Sequence, residues 1–450
     1  MFTELSAENY KSWRRTGIVR LAPLTALLGT NSSGKSSLLK LFLLFKQTVE
    51  SQDRKRVLEF GDYESYADFG AYYDVALGHD IKAKIGFSLS WIPDDPLKLP
   101  IGRRGSDVSV ELLKYKLSVE ETDGVTQVAF FQYAFDRQSF GMRCESPGRY
   151  QLDAGVFHTK RRRGRAWPLP APTKCYGFPS EAVAYYTNTA FLPDLALAFE
   201  REFQDITYLG PLREEPARIY TWAGDRPSNV GVSGQYTVPV LLAAAAEKML
   251  VGRPGRGKRR RTLIAEIEHW LQAMGLAHTL TLKPLGRYRK EYEFVVQMSA
   301  SGTPVNIADV GFGVSQVLPV LVACFYAPER SVLLLEQPEI HLHPRAQSVL
   351  ADVLINAVKE KRIQLIIETH SEHLIRRIQR RMAEELLVPD ETALYFCRRD
   401  DGTSQIEELE MDMYGYIRNW PDNFFGDDFG DVKAMQEKVA ERRGFLSDRG

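Results

Sequence analysis

Gly29-Thr30-Asn31-Ser32-Ser33-Gly34-Lys35-Ser36 is the stretch that decides the fold. It matches G-x-x-x-x-G-K-[ST], and its flanks are the required ones. The apolar run Leu24 to Gly29 (LTALLG) precedes it as a buried strand, and Ser36 to Phe45 (SSLLKLFLLF) follows as a buried helix. Glycines let successive backbone N–H groups turn inward around phosphates, and the helix adds its positive N-terminal end. Lys35 supplies a cation to the β- and γ-phosphates of a nucleotide, and the Ser36 hydroxyl is a magnesium ligand. The expected nucleotide-binding residues are Gly29, Asn31, Ser33, Gly34, Lys35, Ser36 and Ser37, with ATP and Mg2+ as cofactors.

Three later segments complete the chemistry. Val332-Leu333-Leu334-Leu335-Glu336 delivers a carboxylate at the C-terminal end of a buried strand, where ligands sit in open α/β sheets, so Glu336 is the second expected metal ligand. Ile363-Gln364-Leu365-Ile366-Ile367-Glu368-Thr369-His370 ends the next strand beside a histidine able to hydrogen-bond a γ-phosphate. Asp309-Val310-Gly311-Phe312-Gly313-Val314-Ser315-Gln316 opens an apolar helix with small residues and a hydroxyl, which suits an anion. The chain's own nucleotide is already held by the first loop. Gly311, Gly313, Ser315 and Gln316 are therefore expected to meet the nucleotide of another subunit.

Around these motifs the hydrophobic rhythm changes twice. Residues 81–204 carry short alternating runs such as Ile85 to Trp91, the pattern of antiparallel strands, and read as a mainly β insertion of unknown role. Residues 1–80 and 205–410 form the split α/β head, with helical segments between Tyr236 and Leu276 giving a helical lobe, and 411–450 form a C-terminal tail region. Strands alternating with helices after Ala308 imply a largely parallel sheet. No heptad run long enough for a coiled-coil arm is present.

Composition narrows the class. The 450 residues include 58 Lys and Arg against 58 Asp and Glu, so no overall basic balance argues for nucleic acid. The charge is uneven, however: Lys160 to Arg165, Arg253 to Arg261, and Arg376, Arg377, Arg380 and Arg381 form basic sets. Of these, the loop with Arg256, Lys258, Arg259, Arg260 and Arg261 is the preferred contact for nucleic acid or a partner, because it lies between segments of the head. Four cysteines without paired spacing give no zinc site or disulfide framework. With no apolar run of membrane length and no signal-peptide layout, a cytoplasmic location is expected.

Taken together, the motifs resemble the ABC-type ATPase heads of the SMC, RecF and OLD group. More closely, they are similar to bacterial predicted ATPases of anti-phage defence islands. Asn9-Tyr10-Lys11-Ser12-Trp13 resembles the N-F-K-S-F opening of those proteins; Glu336 to Pro344 (EQPEIHLHP) resembles their Walker B and D-loop stretch. Thr369-His370-Ser371 resembles their switch histidine, while Tyr208 to Arg213 (YLGPLR) and Trp420 to Phe425 (WPDNFF) resemble landmarks without an assigned role. The resemblance implies a dimer or higher oligomer of heads, slow ATP hydrolysis acting as a switch, and control of a separate effector protein, with nucleic acid as a further partner and no membrane. A RecF- or SMC-like repair ATPase and an ATP-bound scaffold are the alternatives.

Two positions depart from the resemblance. Aligned on Gln316, the signature has Gly313 where a serine is expected and Ser315 at the second glycine. Gln337 occupies the place of the catalytic glutamate, and a neutral amide orients water without taking its proton. Glu339, Glu368 and His370 are the remaining candidates for the base, with Gln337, Glu339 and His370 the expected catalytic set. Tyr10, Trp13 and Arg14 lie near where the adenine is expected.

Overall fold

A computed structural model describes residues 1–101, 106–157, 159–162, 167–252, 260–421 and 434–439. The chain opens with β1 (Phe2–Tyr10), β2 (Trp13–Arg15), β3 (Val19–Arg20) and β4 (Leu24–Gly29), then enters α1 (Lys35–Glu50) and the single turn α2 (Tyr72–Val75). Next come β5 (Ile85–Trp91), β6 (Leu97–Leu99), β7 (Val108–Val110), β8 (Leu113–Thr122), β9 (Val125–Phe135), β10 (Gln138–Ser146) and β11 (Arg149–Asp153). Helices α3 (Ser180–Tyr185) and α4 (Leu192–Gln204) lead to β12 (Ile206–Leu209) and β13 (Tyr220–Thr221).

The helical lobe holds α5 (Thr237–Ala246), β14 (Leu250–Val251), β15 (Arg261–Thr262) and α6 (Leu263–Met274), beside the small antiparallel sheet of β13, β16 (Thr279–Pro284), β17 (Glu291–Gln297) and β18 (Val305–Asn306). Then α7 (Phe312–Tyr326), β19 (Val332–Glu336), α8 (Pro344–Lys361), β20 (Gln364–Glu368), α9 (Glu372–Ala383), β21 (Thr392–Asp400) and β22 (Thr403–Glu408) complete the α/β rhythm.

The α/β class expected from the sequence is the one found. One sheet runs β12-β19-β20-β4-β21-β22, parallel except for the final hairpin. Its strands are buried on both faces, as continuous apolar runs require. Alternation sends Val332, Leu334 and Ile366 into one core with α1, and Leu333, Leu335, Leu365 and Ile367 into the other with α7 and α8. Pairing puts Glu336 opposite Glu368, and Glu368 opposite Leu27, so the motif residues converge at the C-terminal ends of the central strands.

The second sheet runs β11-β10-β9-β8-β5-β1-β2, with β3 also paired to β1. Strands from residues 81–204 thus share a sheet with the N-terminal strands, and Phe2, Phe45, Trp91, Tyr115 and Phe199 belong to one core. Phe45 of α1 packs its ring against Phe87, Tyr115, Phe199 and Phe203, at centroid distances of 5.4 to 6.4 Å. The helix that follows the phosphate loop is therefore anchored between both sheets. No helix among the described residues is long and apolar enough to cross a membrane.

Candidate nucleotide site

The turn from β4 into α1 has the backbone geometry that its glycines predict. Gly29 has φ 136°, and a Cβ there would lie 1.9 Å from the Cys397 carbonyl oxygen of β21. Gly34 caps α1 at φ 92°, where a Cβ would come within 2.7 to 2.9 Å of Ser404 Oγ, Trp13 Nε1 and Ser12 Oγ. No side chain caps α1 and no acid stands in its first turn, so its leading N–H groups have no protein partner of that kind. An anionic ligand fits such an end. Lys35 Nζ donates to Thr30 O (2.7 Å) and Gly29 O (3.2 Å), and desolvation lowers its pKa from the ordinary lysine value.

Gly34 and Lys35 border a cavity of about 830 Å³. Asn31 to Ser37 form its floor; Gln337, Glu368 and His370 come from the ends of β19 and β20, and Arg399, Asp401 and Thr403 from the β21–β22 hairpin. The structure therefore brings together the glycine-rich loop, Gln337 and His370. A second cavity of similar volume, about 790 Å³, lies at the far end of α1 around Gln47 and Glu50, and none of the motif residues line it.

Glu336, 3% exposed, is held from three directions. Tyr208 donates its phenol to Oε1 at 2.8 Å, Lys40 Nζ lies 3.6 Å from the same oxygen, and Arg213 Nη2 donates to the backbone carbonyl at 3.2 Å. Burial raises the Glu336 carboxyl above its usual range, and Lys40 and Tyr208 oppose that shift. Arg213 is itself buried, its Nε and Nη1 have no partner, and burial pushes its pKa down to about 10. Glu336 lies behind the lining of the cavity, which Ser36 in the first turn of α1 reaches, and a carboxylate fixed in this way at the strand ends that bear the phosphate loop has the chemistry of a hard-cation ligand.

The carboxylates differ in what they face. Glu339, also buried, accepts the His370 backbone N–H on Oε1 at 2.8 Å and does not line the cavity. Glu368 lines it, with one oxygen 3.8 Å from Lys35 Nζ. Gln337 sits at φ 46°, an unusual conformation for a non-glycine, and its N–H donates to the Glu368 carbonyl at 2.8 Å. Partial burial and the Lys35 charge lower the His370 pKa below its ordinary value.

The remaining expected residues lie as follows. Gly311, Phe312 and Gly313 stand at the accessible start of α7, but Ser315 and Gln316 are buried, and Ser315 Oγ donates to the Phe312 carbonyl. None of the signature residues lines the cavity. Tyr10 and Trp13 are fully buried and prop the loop: Trp13 Nε1 donates to Ser37 Oγ (3.0 Å) and Gly34 O (3.2 Å), and Tyr10 to Ser37 O (3.0 Å). Only Arg14 of that trio borders the cavity.

The basic sets are placed as follows. Arg376, Arg377, Arg380 and Arg381 on α9 are each paired to Glu372, Asp352 or Glu384, which leaves little free charge there. Arg256, Lys258 and Arg259 lie outside the described residues, as do Arg163 and Arg165. Arg260 donates to the carbonyls of Gly252 and Leu250, and Arg261 pairs with Glu266.

Sequence reasoning missed Lys40 and gave no role to Tyr208 and Arg213, whose partner is more than 120 residues away. It also missed the β21–β22 hairpin. Only the unexplained Tyr208 to Arg213 landmark pointed that way.

Comparison with known proteins adds the following. Residues 297–376 match the family model described as an AAA domain, putative AbiEii toxin, type IV TA system, and residues 387–435 match a family of proteins of unknown function, DUF3696. Among solved structures, the SMC head bound to the C-terminal winged-helix domain of ScpA is similar at 11% identity and a TM-score of 0.45, covering 91% of this chain and 98% of that one. The SMC head domain from Thermotoga maritima gives 10% and 0.40, over 91% and 99% of the two chains. The Pyrococcus furiosus SMC head with an extended coiled coil, bound to the C-terminal domain of ScpA, gives 10% and 0.42, over 98% and 99%. A likeness this loose does not transfer function. No curated protein matches significantly.

Proposed function

We propose that this chain is an ATP-binding, slowly hydrolysing ABC-type ATPase that acts as a dimeric nucleotide switch. The observation that carries this reading is the single cavity shared by Lys35, the uncapped start of α1, Gln337 and His370. Gly29, Asn31, Ser33, Gly34 and Ser37 hold the phosphates through the loop backbone and its hydroxyls. Lys35 leaves its carbonyl partners for the β- and γ-phosphates. Ser36 and Glu336 would hold Mg2+, which when bound neutralises charge on the phosphates. Gln337 orients the attacking water, and His370 reports the γ-phosphate through its ring while Glu339 fixes its backbone.

The α7 start does not line the chain's own cavity, and in this reading it is the surface on which a dimer closes. The N–H groups around Gly311 and Gly313 would meet the partner copy's nucleotide, whereas buried Ser315 and Gln316 hold the turn in shape. In this reading the chain is a sensor or regulator in anti-phage defence that controls a separate effector in the cytoplasm, a role that rests on the resemblance of its motifs; the description matched by residues 297–376 goes only as far as a toxin–antitoxin system. Arg260 and Arg261, with the neighbouring Arg256, Lys258 and Arg259, are the proposed contact for nucleic acid or that effector.

The test is ATP turnover of the purified protein against Lys35→Ala. We expect turnover clearly above that background, with Lys35→Ala losing both nucleotide affinity and hydrolysis. Turnover equal to the background, with ATP still bound by the wild type, would make the chain an ATP-locked scaffold.

A further inference from the structure

Hydrolysis by this site lacks an obvious proton acceptor, because Gln337 is an amide. A general base must lie within hydrogen-bond reach of the attacking water in the substrate complex. Glu339 is turned to the His370 backbone and lies outside the cavity wall. His370 stands at the exposed rim. Glu368 is 4% exposed and, like Glu339, has an Oε2 without a hydrogen-bond partner, but of the two carboxylates it alone lines the cavity.

Its position also fits. Glu368 Oε1 is 3.8 Å from Lys35 Nζ, the cation that meets the terminal phosphates, and the Glu368 carbonyl accepts the Gln337 N–H at 2.8 Å. The amide that orients water and the free carboxylate oxygen therefore stem from paired backbone. The plainer explanation is that Glu368 only balances Lys35. Yet Lys35 is already hydrogen-bonded to Thr30 O, Gly29 O and Ser33 Oγ, and 3.8 Å is beyond a hydrogen bond. Balancing Lys35 does not explain a buried oxygen left without a donor, an arrangement that calls for a reason of its own.

We propose that Glu368 is the general base. The water oxygen attacks the γ-phosphorus and one water proton passes to the Glu368 carboxylate. The bond from the γ-phosphorus to the β–γ bridging oxygen breaks, and its electron pair leaves on ADP. Inorganic phosphate is the second product, and Glu368 returns its proton to solvent when the site reopens. This inference rests on the ATPase reading above.

The experiment uses the full chain, measuring steady-state turnover and, separately, the affinity for a fluorescent ATP analogue. Glu368→Gln is expected to lower kcat by about 10²- to 10⁴-fold, with nucleotide affinity changed less than about threefold. Glu368→Asp keeps the charge near Lys35 but withdraws the carboxylate, and is expected to lose at least about tenfold in kcat. Gln337→Glu added to Glu368→Gln is expected to recover turnover, which a merely structural Glu368 would not permit. Weakened nucleotide affinity with wild-type kcat at saturation in Glu368→Gln overturns the assignment, as does wild-type kcat in Glu368→Asp. Either result leaves wild-type turnover intact and sinks only the base; wild-type turnover no higher than that of Lys35→Ala sinks the ATPase reading itself.

Discussion

Glu336 and Glu368 end adjacent parallel strands, sit opposite each other in register, and are almost equally buried, at 3% and 4% exposure. Glu336 has a phenol at 2.8 Å, an ammonium at 3.6 Å and an arginine on its carbonyl; Glu368 has one lysine at 3.8 Å and a carboxylate oxygen with no partner. Burial alone therefore does not separate them. Their surroundings do. A carboxylate oriented before its ligand arrives suits a group that must hold a metal in one place. A carboxylate with an unfilled acceptor suits a group whose partner comes with the substrate.

The largest effect that sharpens this contrast comes from Glu336→Gln. It should lower Mg2+-dependent turnover by about 10²- to 10³-fold, the scale of losing one fixed charged contact at a reacting phosphate. It should also abolish Mn2+ binding in the presence of a non-hydrolysable ATP analogue, read by electron paramagnetic resonance. The analogous Glu368→Gln protein should still bind Mn2+ with nearly wild-type affinity. Equal loss of Mn2+ in the two variants would erase the distinction between the strand ends.

Tyr208→Phe comes next. It removes the donor to Glu336 Oε1 and nothing from the phosphate loop. Outer partners of metal ligands are worth about 10- to 100-fold in affinity. Mn2+ affinity with the analogue should thus fall by about tenfold, while analogue affinity without metal stays the same. A variant with unchanged Mn2+ affinity would reduce Tyr208 to packing.

What the sequence disclosed follows the same line between local and distant partners. The phosphate loop was legible because its eight residues are contiguous and its glycines answer to backbone geometry, as at Gly29 against Cys397 O. Glu336 and His370 were legible as ends of apolar runs. Tyr208 was not, because nothing in its own segment says that β12 pairs with β19 and sets its phenol on Glu336. Ser315 and Gln316 misled for a related reason. Helix α7 is apolar on every side from Val314 to Tyr326 and is enclosed on every side, so its polar residues are buried with the rest. Small residues at a helix start suggested an anion site; the enclosure of the whole helix decided which of them reach the surface.

Lys40 offers the smallest effect and the sharpest test of sign. Its side chain is 35% exposed, so its attraction to Glu336 across 3.6 Å is screened and modest. It also stands where a metal cation would add positive charge, so it competes with the ion instead of orienting the carboxylate for it. Lys40→Met should therefore raise Mn2+ affinity by no more than about threefold at low salt, with the gain fading as salt screens the pair. Tyr208→Phe moves the same quantity the other way and is insensitive to salt, since a hydrogen bond to a buried oxygen is not screened. If Lys40→Met instead weakens Mn2+ binding, Lys40 shares the positioning role with Tyr208. Glu336 would then be held by both neighbours in concert, and the contrast with Glu368 would be greater than the hydrogen bonds alone imply.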